Sequence, residues 1–104
     1  MKPMVEAFYN DVYNIVSQIP EGRVMTYGVI ADLMGWGKHQ RMVGKALKEA
    51  PEELNLPCHR VVSSNGRTVP DWTEQIDLLR SEGVSFRNDK CVDIKRHLWH
   101  PESI

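Results

Sequence analysis

Residues 56–62, which read LPCHRVV, constrain this chain more than any other stretch. Both ends are apolar, whereas a thiol, an imidazole and a guanidinium stand side by side at the centre, which burial in a plain strand does not explain. Adjacent side chains face opposite ways in a strand, so Cys58 and His59 can meet only across a tight turn or through a water. Pro57 suits the first turn of a helix, where backbone N–H groups and a nearby histidine would lower the thiol pKa of Cys58. Taken alone, the stretch favours a buried cysteine beside an exposed histidine, and a nucleophilic cysteine is the alternative that the rest of the sequence supports.

Composition limits the classes of protein to which the chain can belong. With 104 residues, 41% of them hydrophobic and 26% charged, it is expected to form a single domain over residues 1–104. No run is apolar enough to span a membrane, and residues 1–13 carry acids that a signal peptide would not, so a cytoplasmic location is expected. Cys58 and Cys91 are expected to be thiols, with a disulfide between them as the less favoured alternative. Because the net charge is −1, any contact with a polyanion must come from a local patch.

Hydrophobic periodicity predicts three helices in the first half of the chain. The first covers residues 3–18, Thr26 caps a second over residues 27–34, and a third runs from residue 38 or 39 to residue 49. Their apolar faces consist of Val5, Phe8, Val12, Ile15, Val16 and Ile19; of Ile30, Leu33 and Met34; and of Met42, Val43, Ala46 and Leu47. Residues 35–37 (GWG) separate the second helix from the third, which predicts a helix-turn-helix unit.

The third helix and the turn before it carry a local cationic surface. Residues 36–48 contain no acid, and their basic side chains are Lys38, His39, Arg41, Lys45 and Lys48. On a helix-turn-helix unit, such a patch favours DNA binding. A solvated helix face with no partner is the alternative.

A small β wing is predicted after the central stretch. Residues 63–67 (SSNGR) contain Asn-Gly, which predicts a type I′ hairpin between residues 61–62 and residues 68–69. Residues 84–86 and 91–94 are expected to form two further short strands.

One more clear helix is predicted after a turn at residues 70–73, with Thr73 or Asp71 as its cap. Its expected buried residues and its C-terminal glycine are Ile76, Leu79 and Gly83. A final turn is expected at residues 95–99. The predicted fold class is mostly α with a small β wing, a winged helix-turn-helix single domain.

Three motifs at this spacing resemble one known family. Residues 57–62 (PCHRVV), preceded by residues 22–28 (GRVMTYG) and residues 41–46 (RMVGKA), are similar to the C-terminal domain of O6-alkylguanine-DNA alkyltransferases. The resemblance extends from Ile19 to about Val84. The short chain and its ending LWHP look more like the alkyltransferase-like proteins, which are non-enzymatic relatives that usually carry tryptophan in place of the cysteine.

The resemblance implies a monomer that needs no cofactor or metal, enters the minor groove of double-stranded DNA and rotates O6-alkylguanine into a pocket. It implies that Cys58 takes the alkyl group irreversibly and that His59 acts as its base through a water. It further implies that Glu82 orients the histidine, that Tyr27 donates to the leaving guanine and that Arg41 fills the space of the flipped base. From the resemblance and the basic side chains together, the expected DNA-binding residues are Thr26, Tyr27, Gly28, Lys38, Arg41, Gly44, Lys45, Arg60 and Arg67.

The chain departs from the enzymes in three features. Ala50 stands where they carry an asparagine that braces the cysteine loop, and residues 67–72 (RTVPDW) replace a loop rich in glycine and tyrosine. The enzymes' N-terminal domain has no counterpart in these residues. A more open pocket, able to admit bulkier adducts, is expected, and Trp72 is a candidate aromatic wall for the base, although packing at the helix start is the commoner role.

Several functions remain open at this point. A lesion sensor that binds O6-alkylguanine and recruits other repair proteins is the main alternative to alkyl transfer. A plain winged-helix regulator would leave Cys58 as packing, and a Cys/His hydrolase would need an oxyanion loop that the sequence lacks. A zinc site would draw on Cys58, His59, Cys91, His97 and His100, but only the last two show ligand-like spacing.

Overall fold

The computed structural model describes residues 2–35 and 39–101, with side chains from residue 6 onward. The helices and strands in these ranges are α1 (Lys2–Ser17), β1 (Met25–Thr26), α2 (Tyr27–Leu33), α3 (Gln40–Lys48), β2 (Val61–Val62), α4 (Glu74–Ser81) and α5 (Ile94–His97). The predicted fold class, mostly helical with a small sheet, is confirmed. None of the described helices is both long enough and apolar enough to cross a membrane. Trp36, Gly37, Lys38 and the side chain of Val5, all used in the sequence predictions, lie outside the described residues.

The first three helices enclose the main core, as their periodicity predicts. Both α1 and α2 pack on α3, and the fully buried side chains include Val12, Val16, Ile30, Val43 and Ala46. The Thr26 hydroxyl caps α2 by accepting a hydrogen bond from the Val29 backbone N–H at 3.1 Å.

The inward placement predicted for Leu33 is wrong, because its side chain is 41% exposed. The buried residues of α2 are Ile30 and Ala31. At about 100° per residue, Leu33 lies about 110° around the helix from the midpoint between them, outside the buried face. In α4 the buried face is also offset from the predicted one, because Ile76, which was expected to be buried, is only half-buried, whereas Gln75 is fully buried.

The predicted type I′ hairpin is also wrong. β2 pairs in parallel with β1, Met25 opposite Val61, whereas Arg67 forms an antiparallel bridge with Cys91. A type I′ turn needs positive φ at both central residues, but in this segment only Gly66 has one, at 87°. An added Cβ at Gly66 would overlap the carbonyl oxygen of Val92, so the position requires glycine. The chain still folds back after β2, because the Ser63 N–H donates to the Arg67 carbonyl at 3.1 Å, but it does so with a single positive φ and not as a type I′ turn.

A second, smaller core lies under α4. It consists of Val24, Val62, Leu79, Val84 and Val92. Gly83, with φ of 89°, follows the end of α4 as predicted, and the two short strands expected near it are reduced to isolated pairs such as Phe86 with Val92. The final turn appears as α5, which is followed by a bridge between Val24 and Leu98.

Candidate functional site

Cys58, His59 and Arg60 form a single 3-10 turn between Pro57 and β2, which we call the cysteine turn. The Arg60 N–H donates to the Pro57 carbonyl at 3.0 Å and closes the turn. Successive side chains of a 3-10 helix point about 120° apart, so the three functional groups leave the backbone in different directions. The tight turn expected from the sequence is therefore present at the cysteine.

Behind this turn, His59 and Arg60 share the carboxylate of Glu82. The Nε2 atom of His59 lies 2.8 Å from Oε2 of Glu82, and Arg60 donates from Nε at 2.9 Å and from Nη2 at 2.7 Å. Hydrogen bonds from Arg60, and then from His59, lower the pKa of Glu82 from 4.5 to about 2 in spite of its burial. Glu82 is therefore ionised at neutral pH, and the pairing of His59 with Glu82 that the resemblance implies is present in the structure.

The ionised carboxylate sets the tautomer of His59. A carboxylate can only accept, so the Nε2 atom of His59 must carry the proton. The Nδ1 atom then keeps its lone pair, and no group among the described residues is hydrogen-bonded to it. A neutral imidazole in this state can take a proton at Nδ1 while Glu82 stabilises the resulting cation.

Arg60 was predicted to contact DNA, but its guanidinium is engaged inside the protein. Besides the two bonds to Glu82, its Nη1 atom donates to the carbonyl of Ile19 at 2.9 Å, and only 15% of the side chain is exposed. The structure thus gives Arg60 a supporting role in the cysteine turn, for which no DNA contact is needed.

A cavity of about 500 Å³ opens in front of the cysteine turn, and we call it the main pocket. Its lining residues are Tyr27, Gly44, Leu47, Lys48, Cys58, Val69, Pro70, Asp71 and Trp72. Burial raises the pKa of the Cys58 thiol, although a bond to its own backbone N–H opposes part of this effect. The net shift of the thiol pKa is therefore upward, opposite to the lowering that a nearby histidine or a helix N-terminus would give.

Tyr27 and Trp72 place two aromatic side chains on the main pocket. Burial and, secondarily, the negative charge that Cys58 acquires when it ionises raise the pKa of Tyr27, so its phenol remains a proton donor. A Cβ added to Gly44 would lie 3.7 Å from the Tyr27 ring, so α3 and the start of α2 meet closely at this wall. On the other side of Cys58, a second cavity of about 310 Å³ is lined in part by Ala50, the position that departs from the enzymes.

Sequence reasoning missed Gln75, which is fully buried in α4. Its Oε1 atom accepts from the Val69 N–H at 2.7 Å, and its Nε2 atom donates to the carbonyls of His59 at 3.1 Å and Val61 at 3.0 Å. The available signal was helical spacing, because Gln75, Leu79 and Glu82 recur at four- and three-residue steps.

The predicted DNA-binding residues fall into two groups. Arg41, Lys45 and Lys48 have exposed side chains on α3, and Arg67 is exposed beside Tyr27 at the edge of another cavity. Thr26, in contrast, is buried with its hydroxyl on the cap of α2. Two half-buried glycines, Gly28 and Gly44, lie at the start of α2 and within α3.

The zinc alternative finds no support in residues 2–35 and 39–101, where no three His, Cys, Asp or Glu side chains are grouped as metal ligands. His97 instead hydrogen bonds through Nε2 to Ser85 and through Nδ1 to the carbonyl of Gly22. Cys58 and Cys91 are both free thiols.

Known proteins resemble this chain in both sequence and fold. Residues 7–84 match the sequence model of the 6-O-methylguanine DNA methyltransferase DNA-binding domain. The DNA base-flipping protein of Escherichia coli K12 is 41% identical over 91% of this chain and 76% of its own length. Alkyltransferase-like protein 1 of Schizosaccharomyces pombe is 35% identical over 93% of this chain and 98% of its own length.

Solved structures agree with these matches. S. pombe Atl1, crystallised with damaged DNA containing O6-carboxymethylguanine, superposes with a TM-score of 0.84 at 33% identity, over 92% of this chain and 97% of Atl1. Mycobacterium tuberculosis OGT in complex with DNA gives a TM-score of 0.65 at 32% identity, over 72% of this chain and 48% of OGT. On the family match and on relatives above 30% identity across most of its length, the chain belongs to the family of the 6-O-methylguanine DNA methyltransferase DNA-binding domain.

Proposed function

We propose that the protein binds double-stranded DNA containing O6-alkylguanine, flips the modified base into the main pocket and transfers its alkyl group to the sulfur of Cys58. The observation that carries this proposal is the thiol of Cys58 on a pocket of about 500 Å³, with the paired His59 and Glu82 behind it. A pocket of that size is within the range that small-molecule sites occupy, and a single base is a ligand of that kind. The protein acts as a monomer on the cell's DNA.

DNA binding is assigned to the helix-turn-helix unit. The exposed cations Lys45 and Lys48 on α3 neutralise phosphates, and Arg41 occupies the space that the flipped base leaves in the stack. Gly28 has no Cβ that could hold the start of α2 away from the DNA backbone. Arg67, exposed beside the pocket, supplies a further phosphate contact, and Lys38 remains a predicted contact outside the described residues.

The flipped guanine is held between the walls of the main pocket. The Trp72 indole offers a surface for stacking, and the Tyr27 phenol, protonated because burial raises its pKa, can donate to the purine. Such a donor is useful where negative charge develops on the leaving guanine.

Alkyl transfer uses the groups already described. The Cys58 sulfur attacks the alkyl carbon while the bond from that carbon to O6 breaks and its electron pair stays on the guanine. The thiol proton passes through a water to Nδ1 of His59, and Tyr27 protonates the guanine. Return of the proton from His59 to Tyr27 restores both groups. The cysteine is left as a thioether, so each molecule reacts once.

Lesion sensing without transfer is the second candidate, because burial raises the thiol pKa of Cys58 and so disfavours the thiolate. The chain spans about half the length of the methyltransferases it resembles, 52% for that of Saccharolobus islandicus. As a sensor, the protein would present the bound lesion to other repair proteins.

Intact mass after incubation with a duplex carrying one O6-methylguanine separates the two candidates. Alkyl transfer predicts the gain of one methyl group, which Cys58→Ser abolishes. Sensing predicts tighter binding to this duplex than to an undamaged one, with no change in mass. Equal affinity for both duplexes together with no change in mass would rule out both candidates and leave a plain winged-helix protein.

A further inference from the structure

Gln75 is a fully buried polar side chain that no part of the proposed chemistry uses. We propose that Gln75 is a positioning residue that fixes one wall of the main pocket against the cysteine turn, and thereby sets the selectivity for the modified base. This inference rests on the proposed function, because selectivity has a meaning only if the pocket receives the base. The wall in question is the segment of residues 69–72, which we call the pocket wall.

The position of Gln75 on α4 gives the helix two holds on the cysteine turn. Gln75 and Glu82 are seven residues apart, which is about two helical turns, so they lie on the same face. Glu82 binds the side chains of His59 and Arg60, whereas Gln75 donates to the carbonyls of His59 and Val61 on either side of Arg60. Glu82 therefore orients the imidazole of His59, and Gln75 fixes the backbone that carries this imidazole.

Gln75 also holds the pocket wall at both of its ends. Its side-chain oxygen accepts from the Val69 N–H at 2.7 Å, and its own backbone N–H donates to the Trp72 carbonyl at 3.2 Å. Between these points, Asp71 has φ of 69°, a left-handed conformation that few residues other than glycine adopt readily. Because the pocket wall is held at both ends, Asp71 keeps this conformation although residues 69–72 are not part of a strand.

Loss of the Gln75 side-chain amide should therefore lower the affinity for modified DNA more than the affinity for undamaged DNA. Without Gln75, the Val69 N–H loses its partner, and the wall can move relative to Cys58. Undamaged DNA is held by the cations of α3, which Gln75 does not contact, so its affinity should change little. A purely structural role would instead lower stability and leave the ratio of the two affinities unchanged among folded molecules.

The test compares affinities for an O6-methylguanine duplex and an undamaged duplex in a Cys58→Ser parent, which cannot consume the lesion, and in the same parent carrying Gln75→Met, Gln75→Glu or Val12→Ala. Gln75→Met removes all three side-chain bonds at similar volume, and we expect the affinity ratio to fall about tenfold. Gln75→Glu keeps the acceptor for Val69 but loses both donors, and it carries the test if the methionine variant does not fold. Val12→Ala, in the core between α1 and α3, should lower the melting temperature without changing the ratio.

An unchanged ratio in a folded Gln75 variant overturns the proposal. A Cys58→Ser parent that binds both duplexes equally, together with no methyl gain in the wild type, overturns the proposed function instead, and the wall is then judged separately by amide hydrogen exchange. In wild type, the Val69 amide should exchange slowly because Gln75 protects it. Exchange as fast as that of the exposed Ser64 amide would show that the wall is not held.

Discussion

Replacing Glu82 with glutamine should destabilise the protein in a manner that depends on pH. Arg60 and His59 lower the pKa of the carboxyl from 4.5 to about 2, which corresponds to about 3 kcal/mol in favour of the charged form. The Glu82 side chain is 11% exposed, and its glutamine replacement keeps part of the contact with Arg60. We therefore expect the free energy of unfolding at pH 7 to fall by about 2 kcal/mol.

The direction of the pH dependence follows from the lowered pKa. A carboxyl whose pKa is lower in the folded state contributes its full stabilisation above its unfolded pKa, here 4.5, and loses it as the pH falls toward about 2. Urea unfolding of wild type and Glu82→Gln at about pH 7, 5 and 3 should show a difference that is constant at first and then shrinks by about half or more.

Glu21→Gln is the matched control for this experiment. Its carboxylate also faces Arg60, but at 3.9 Å and with 75% of its side chain exposed. Its removal should change the free energy of unfolding by less than about 0.5 kcal/mol at every pH. An effect of Glu82→Gln that is the same at about pH 3 as at pH 7 would refute the electrostatic reasoning.

Three further predictions follow from the site and the fold. Lys45→Ala should weaken binding to damaged and undamaged duplexes equally and lower the slope of log affinity against log salt by about one. Arg41→Ala should weaken binding to the damaged duplex more than binding to the undamaged one. Binding titrations at several salt concentrations measure both effects. Cys58 should react with iodoacetamide more slowly than a free thiol at pH 7, with a rate that still rises above about pH 9, because burial raises its pKa; a rate that is level from about pH 6 to 8 would contradict this. Gly66→Ala should cost more than about 2 kcal/mol of stability in urea unfolding, because a backbone carbonyl occupies the space of the new Cβ, while Gly83→Ala, with similar φ but nothing within 4 Å, should cost about 1 kcal/mol.

Local patterns predicted the helical half of the fold well. The apolar residues of α1 and α3 recur with the helical period, and Thr26 has the side chain that caps a helix, so each prediction depended on neighbours within a few positions. The type of turn in the wing was predicted wrongly for the opposite reason. Asn-Gly favours a type I′ turn locally, but the space at Gly66 is set by residues 91–92, about 25 positions away along the chain.

In the candidate site too, features set by nearby residues could be predicted from the sequence, and features set by distant residues could not. Motif spacing and family resemblance pointed to Cys58, His59, Glu82 and Tyr27, and their proposed roles stay predictions. Gln75, in contrast, is an ordinary polar residue in the sequence, and only the packing of α4 against the cysteine turn reveals its three bonds. The direction of the thiol pKa shift of Cys58 could not be told from the sequence either, because burial of the turn depends on the tertiary fold.

Arg60 illustrates how the shape of one turn decides a residue's role. In a strand, His59 and Arg60 would face opposite ways, and Arg60 would be available for DNA. In the 3-10 turn, both reach Glu82, and Arg60 also binds the carbonyl of Ile19 beyond the end of α1. The guanidinium therefore joins the first helix, the cysteine turn and α4, and it cannot leave for a phosphate without freeing the carboxylate that orients His59. If the protein binds DNA as proposed, we expect the contacts with its backbone to come from α3 and from Arg67, whose basic side chains are exposed.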